Sequence, residues 1–586
     1  MINFDSLTLK ALINEVKPVF EGGRVQKIQQ PSRYEIILGI RAGGKSHKLF
    51  VCINPKYPHL SVITDEGEEY RDIEIPAKPP MFCMLLRKHM EGAKIRSIKQ
   101  PDNERIYEIY FDSYNEMGER IPLVLACELM GKHSNIILYN YDTNVILGCA
   151  HNIGPEKSRE REISGGLPYI YPPKPQKIDL LKMSESEFYE MAKNISSTMN
   201  NWLNENFFDI SLALANEFCI FIGIANEKGK VSGTTRENII NLYRLAVKTL
   251  KLENLNPSIS SDKQSFSLTG ISPNVLWHKI DSVNTMVDLY FGYQVFLDKF
   301  SKLKKSLLTA VKKHLKKEKS RFSEYEKTLD AEDKADKYRQ TADIIMANIH
   351  KIPSGVEQTE LENFFEEEKV ISIQLDKNLT PSANAQRYYK LYNKAKNAAR
   401  VSRDLINKTK DEIYYLESVI ESINQSETVQ ELRQVQEELV SQNILKEKPE
   451  KNQKKGKKEE IQLTEFVSSD GFKIYVGKNN RQNDYLVSKA ASSNDIWLHT
   501  QNMPGSHVLI KVPQEAYEIP ETTMHEAINL AAYYSRGKDS LNVPVIYTKR
   551  KFLKKPPGAK PGYVTYSHEK TVFVTPDEAL IRKVIK

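Results

Sequence analysis

The sequence predicts a multidomain α+β protein in which two folded ends are joined by a long helical hairpin. Three observations lead there. Apolar residues alternate with period two near both ends, whereas in two long stretches of the middle they recur three and four apart. The length, 586 residues, is also too great for one core.

Taken in order, residues 1–175 combine strand and helix patterns. "RVQKIQQPSRYEIILGIRAGGKSHKLFVCI" reads as strands separated by turn residues, and "MFCMLLRKHM" as a helix. "RIYEIYFDSY" and "IPLVLACELM" return to strand alternation, and "GGLPYIYPPKP" closes the region with clustered Gly and Pro. Residues 176–285 are helical in pattern, broken by polar turns such as "NEKGKVSGTT".

Phe300, Leu303, Leu307, Val311 and Leu315 then form one apolar stripe, continued by Phe322, Tyr325 and Leu329. Ala395, Val401, Leu405, Ile413, Leu416, Ile420 and Ile423 form another. The economical reading is an antiparallel coiled-coil hairpin over 286–350 and 380–445. A small middle module (351–379) lies between its arms, with "VISIQL" as a strand and Pro381 opening the second arm. Residues 446–461 contain "KEKPEKNQKKGKKEE", too polar to bury a core, and read as a basic linker. Residues 462–586 read as a compact α/β unit, with "DIWLHT" and "HVLIKV" as strands and "MHEAINLAAYYSR" as a helix.

Composition narrows the function classes. The net charge is only +8, but the basic residues cluster. Ten Lys or Arg fall between Lys299 and Arg321 with one acid, Glu318, and "KRKFLKKPPGAK" (549–560) carries six with none. Phosphate backbones reward such clusters through counterion release, although a solvated helix face looks the same. Cys52, Cys83, Cys127, Cys149 and Cys219 are scattered without a CxxC, which argues against a disulfide framework or a structural zinc site. The N-terminus lacks a signal-peptide pattern, and no run of about 18 apolar residues occurs. The expectation is a cytoplasmic protein without a membrane segment. GxxxxGK[ST], HExxH and GxSxG are absent, so no enzyme and no cofactor are expected.

Three stretches are candidates for binding. In "SNDIWLHTQNMPGSH", Asp495, Trp497 and His499 sit two apart and share one strand face, with His507 nearby. A metal set, an acid–base pair, a sheet anchor and a nucleic-acid surface are all compatible with that face. The indole, able to stack on a base or ribose, favours RNA. In "IKQPDNERIYEIYF", Glu104 and Arg105 precede a strand; Arg suits bidentate phosphate contact, but a surface ion pair is the commoner arrangement. In "ELMGKHSNIIL", Lys132, His133, Ser134 and Asn135 follow Gly131 in a polar turn that either presents donors or simply closes a hairpin.

Together these motifs resemble the NFACT family, whose bacterial RqcH-type members serve in ribosome quality control and once carried the label fibronectin-binding protein A. The resemblance rests on "PPMFCMLLRKHMEGAKI", "ERI" (104–106), "ELMGKHSNIIL", "LTPSANAQRYYKLYNKAK", "SNDIWLHTQNMPGSHVLI" and "KKPPGAKPGYVTY", in order along nearly the whole chain. It implies a formamidopyrimidine-DNA glycosylase-like N-terminal α/β domain, a helix-hairpin-helix-like domain, the coiled coil with its middle module, and a C-terminal NFACT-R α/β domain. It implies as partners the large ribosomal subunit carrying peptidyl-tRNA, a charged tRNA (alanyl-tRNA in bacterial members), and a small S4-like RNA-binding protein. The ribosome would add residues to the nascent chain without mRNA, and the tail would mark it for degradation.

The tRNA contact implied by the resemblance falls on Glu104 and Arg105, where the family has Asp–Arg. RNA or ribosome contacts fall on Glu128, Lys132, His133, Ser134, Asn135, Asp495, Trp497, His499, His507, Lys554 and Lys555. The glycosylase relatives use an N-terminal proline nucleophile. Residue 2 here is Ile, so their chemistry is not expected. The competing reading is a cell-surface fibronectin-binding adhesin.

Overall fold

The computed structural model describes the chain except residues 1–3, 69–72, 74, 115–116, 157, 159, 225–234, 254, 331, 367–368, 447–460, 514–517 and 585–586. The expected linker thus falls almost wholly outside the described residues. The chain divides into two compact units, Met1–Lys299 and Phe300–Lys586. Both mix helix and sheet, so the molecule is a multidomain α+β protein. Among the described residues no helix is long and apolar enough to cross a membrane.

The first unit is built on nine antiparallel strands: β1 (Arg24–Ser32), β2 (Glu35–Ala42), β3 (Lys45–Cys52), β4 (His59–Val62), β5 (Lys94–Lys99), β6 (Ile106–Tyr114), β7 (Arg120–Glu128), β8 (Asn135–Asn140) and β9 (Ile146–Cys149). Their spatial order is β4-β3-β2-β1-β5-β6-β7-β8-β9. Alternation decides the faces: Leu38, Ile40, Leu49, Ile95, Ile109 and Phe111 all point into one core. Helix α1 (Ser6–Phe20), capped by Asp5 accepting from the Thr8 N–H at 2.8 Å, packs there. The helices that follow deliver Phe188, Trp202, Phe207, Phe218 and Leu242 to the same core, which ends at Phe291. Among the described residues, sheet and helices share this interior.

The helix Val283–Asp330, 48 residues long, would measure about 70 Å at the α-helical rise. Its later turns run antiparallel to the helix Pro381–Gln425. Lys304 Nζ donates to the Asn424 carbonyl (2.7 Å), Lys319 pairs with Glu417 (2.7 Å), and Lys410 lies over the Phe322 ring. As numbers climb on one helix they fall on the other. Leu307 and Val311 pack against Leu416, Val419 and Ile423, joined by Leu432, Val435 and Leu439 of the helix Val429–Ser441. Thr380 caps the second arm and Pro381 is its first residue. A two-stranded hairpin, Gln358–Asn363 with Lys369–Gln374, lies between the arms in sequence and shares a small core of Ile344, Ile345, Leu361 and Ile373.

The C-terminal sheet has six antiparallel strands in the order Thr464–Val467, Lys473–Gly477, His507–Ile510, Ile496–Thr500, Val543–Lys549 and Lys570–Val574. The helix Glu521–Tyr533 covers one face through Ala527, Leu530 and Ala531, against Ile496, Leu498, Val508 and Val545. The other face holds Trp497, Leu509 and Ile546, roofed by Leu486, Val487 and Leu553.

Candidate nucleic-acid interface

In the first unit the β6–β7 register places Arg105 beside the polar turn. Ile106 pairs with Glu128, and the Leu129 N–H donates to the Arg105 carbonyl at 2.8 Å. Two residues further on, Gly131 takes φ +63°, where an L side chain is strained, and opens a single 3-10 turn through His133. Lys132 and His133 are exposed there, while Glu104 and Arg105 are half-buried. Gln100 fixes the loop, donating to the carbonyls of Ser6 (2.9 Å) and Glu104 (2.8 Å). Lys177 also approaches, donating to the Asn204 carbonyl; burial lowers its pKa, the Glu104 charge opposes that shift, and the Arg105 charge adds to it. Sequence reasoning missed Lys177, which belongs to a helical region with no binding motif.

Three residues assigned to this surface face inward. Glu128 is buried and takes a two-pronged contact from the Arg161 guanidinium, with the Tyr169 hydroxyl at 3.0 Å. Asn135 is buried and ties to His151, accepting from its N–H (3.0 Å) and donating to its carbonyl (2.8 Å). Ser134 is buried too. Glu128 and Asn135 tie His151, Arg161 and Tyr169 onto the sheet. A buried carboxylate needs its charge matched, and Arg161 matches it. Nothing local to Glu128 predicted that pairing across 33 residues.

The C-terminal face brings the expected residues together, but of them only His499 is partly exposed. Trp497 and His499 do share one face of their strand, with rings 5.8 Å apart and 10° from parallel. His507, on the neighbouring strand, meets both edge-on at 5.2 Å. Yet Trp497 is 1% exposed and His507 3%. Burial pushes the His499 pKa down to about 4 and that of His507 well below its ordinary value, so both are neutral near pH 7. The Trp497 Nε1–H finds no acceptor among the described residues.

Asp495 is fully buried, paired to Lys511 at 2.7 Å, and accepts from the backbone N–H groups of Ser492 and Val512. An open stacking surface made of Asp495, Trp497 and His507 is therefore corrected: they form the interior beneath the surface. The reason is the loop 550–566. Leu553 and Tyr566 pair across a short ladder, Leu553 joins the cluster over Trp497, and the Tyr566 ring lies 5.8 Å from the indole. Lys511 was missed, although Ile496 pairing with Ile510 makes an Asp just before one strand and a Lys just after the other natural neighbours.

The basic loop divides in the same way. Lys554 is exposed, whereas Lys555 is paired to Asp484 at 2.5 Å and Lys560 to Glu412 at 3.0 Å. Arg550 donates to the Val487 carbonyl. Much of the run is spent fastening the loop that covers Trp497. Lys549, Lys551 and Lys554 face solvent, as does Lys555 despite its ion pair.

The model of NFACT N-terminal and middle domains matches residues 5–458, and that of the NFACT protein RNA binding domain matches 462–567. The chain belongs to the NFACT family. It is 34% identical over 591 residues to the Rqc2 homolog RqcH of Bacillus subtilis (strain 168), with 100% of each chain covered. It is 32% identical over 587 residues to the Rqc2 homolog RqcH of Streptococcus pneumoniae serotype 2, again covering 100% of both. Among solved structures, the C-terminal part of the fibronectin/fibrinogen-binding protein from Streptococcus suis is 31% identical, covering 49% of this chain and 100% of that one at a TM-score of 0.38. Within the NFACT frame, Arg105 and its turn belong to the N-terminal and middle domains, and the Trp497 cluster with its covering loop belongs to the RNA-binding domain.

Proposed function

We propose that this NFACT protein is a ribosome quality control factor. It binds large ribosomal subunits that still carry peptidyl-tRNA and recruits charged tRNA for tailing of the nascent chain without mRNA. The observation that carries this reading is full-length similarity to Rqc2 homologs in a chain that includes an NFACT RNA binding domain. The exposed cations Lys132 and Lys554 support it, since phosphate neutralisation is the main source of affinity for RNA. The same similarity favours it over the adhesin reading.

The finer assignments belong to this proposal. The tRNA is alanyl-tRNA, and the ribosome forms the peptide bonds, so the protein positions substrate and is not itself the enzyme. It works in the cytoplasm, with a small S4-like RNA-binding protein as a further partner. The N-terminal sheet domain is glycosylase-like, the helices after it are helix-hairpin-helix-like, and the antiparallel arms with their hairpin form the coiled coil and middle module. Arg105 contacts tRNA, with Glu104 beside it.

Crosslinking to RNA in living cells, followed by sequencing, tests the reading. Enrichment of large-subunit rRNA together with alanine tRNA is expected. Enrichment of rRNA alone would remove the tRNA step, and no RNA enrichment would overturn the function.

A further inference from the structure

Between two covered ends, the outward face of the first unit's sheet carries a basic window. Cross-strand register fixes which side chains share it. Arg24 of β1 stands directly opposite Arg41 of β2 and opposite Lys94 of β5, and Lys27 and Lys48 flank Gly39 from either side. Lys99, further along β5, points the same way. All six cations are exposed. Val25, Ile28, Ile40, Leu49, Ile95 and Ile98, which alternate with them, fill the core on the other side.

The two acids across from Lys94 and Lys99 are already committed. Asp112, across from Lys94, is held by the Arg120 guanidinium at 2.7 and 2.9 Å. Glu108, across from Lys99, is buried and accepts from the hydroxyls of Tyr110 (2.7 Å), Tyr139 (3.2 Å) and Tyr171 (2.7 Å). Arg24 donates to the Gly92 carbonyl and Arg41 to the Ser46 hydroxyl. Among the described residues neither has a carboxylate partner. Like charges placed directly opposite on adjacent strands repel, so this pairing costs stability unless an anion lies between them. The surface is also shaped there: Gly22, Arg24, Gln26, Arg41 and Gly92 line a notch. Arg96 and Lys99 lie over the Tyr110 ring, at 5.6 and 4.9 Å, so Arg96 adds one more cation beside Lys99.

We propose that this window binds the phosphate backbone of RNA, with Arg24 and Arg41 straddling one phosphate at the notch. Four strands, β3-β2-β1-β5, present a cationic strip about 14 Å wide. A strip of clustered cations matches a repeating phosphate polymer, read without regard to base sequence. The inference rests on the RNA-binding reading above and adds a second contact surface to it.

The test is a salt titration of unfractionated tRNA binding by the full-length protein, wild type against the double variant Arg24→Gln/Arg41→Gln. Both residues are exposed, so folding is expected to survive and the melting temperature to hold or rise. The proposal expects at least a tenfold loss of affinity at about 50 mM salt and a binding slope against log salt shallower by about two. An unchanged affinity and slope in the variant, with wild type binding tightly, would overturn the window and leave the RNA-binding function standing. Failure of the wild type to bind any tRNA would overturn both. Competition by polyglutamate as effective as by tRNA at equal charge would make the face an acidic-protein dock and also overturn the proposal. Lys94→Gln/Lys99→Gln serves as a second variant on the same face and is expected to lower the slope in the same direction.

Discussion

The Asp495 carboxylate lies 2.7 Å from Lys511 Nζ, while the backbone N–H groups of Ser492 and Val512 donate to it from either side of the strand pair. The first residue of the Asp–Trp–His pattern is thus a clamp between neighbouring strands. Asp495→Ala removes the counter-charge of Lys511, which keeps only the Ala490 carbonyl and Ser492 hydroxyl, and leaves two N–H groups unmatched; it is expected to destabilise the second unit by about 3 kcal/mol. Denaturant unfolding of the full chain checks this. If the residue gripped RNA directly, stability would stay level while tRNA affinity fell.

Trp497 should behave as core. Trp497→Ala removes a fully buried indole and is expected to cost about 3 to 5 kcal/mol. In a background where Trp202 and Trp277 are Phe, emission from Trp497 should be blue-shifted and shielded from acrylamide, and tRNA should leave it unquenched. Strong quenching by tRNA would show the loop 550–566 opening to expose the ring.

Two opposite pH dependences meet in the second unit. Glu438 is buried, accepts from the Tyr415 hydroxyl (2.8 Å) and Asn480 (3.0 Å), and is pushed up to about 7 by desolvation. Between the unfolded value near 4.5 and about 7 the folded state holds a proton the unfolded chain has released, so stability falls as pH rises through that window. Glu438→Gln should flatten this loss and stabilise the protein at pH 8 by up to about 3 kcal/mol.

His499 and His507 act in the other direction. Their folded pKa values are lowered, so below about 6.5 the unfolded chain takes protons that the folded one refuses, and stability is lost as pH falls toward 4. His499→Gln should weaken the acid loss without touching the Glu438 window. Melting temperatures of the two variants from pH 4 to pH 8 separate the effects.

At the other end of the chain, Arg105→Ala and Lys132→Ala should each weaken tRNA binding and lower its salt slope by about one. Glu128→Gln should instead loosen the Arg161–Tyr169 anchor, lowering stability while the salt slope is kept. Filter binding at several salt concentrations, with melting curves alongside, distinguishes a contact from a support.

Much of this molecule follows from local pattern. The two apolar stripes around Leu307 and Leu416 specify helices that can only bury themselves against each other, and Thr380–Pro381 marks where the second begins. Alternation in "DIWLHT" places Trp497 and His499 on one face and Ile496 and Leu498 on the other, because strand periodicity is a property of the backbone. Which of those faces meets water is not a local property.

The family, the helical arms and the strand faces were determined by the sequence itself, through motif order and periodicity. Tertiary structure alone decided exposure. A strand side chain is solvent-facing only if no distant segment folds over it, and residues 550–566 fold over Trp497 just as the segment reaching Tyr169 folds over Glu128. The same physics makes the Arg24–Arg41 window visible only in the fold, since the two arginines are 17 residues apart until β1 and β2 pair.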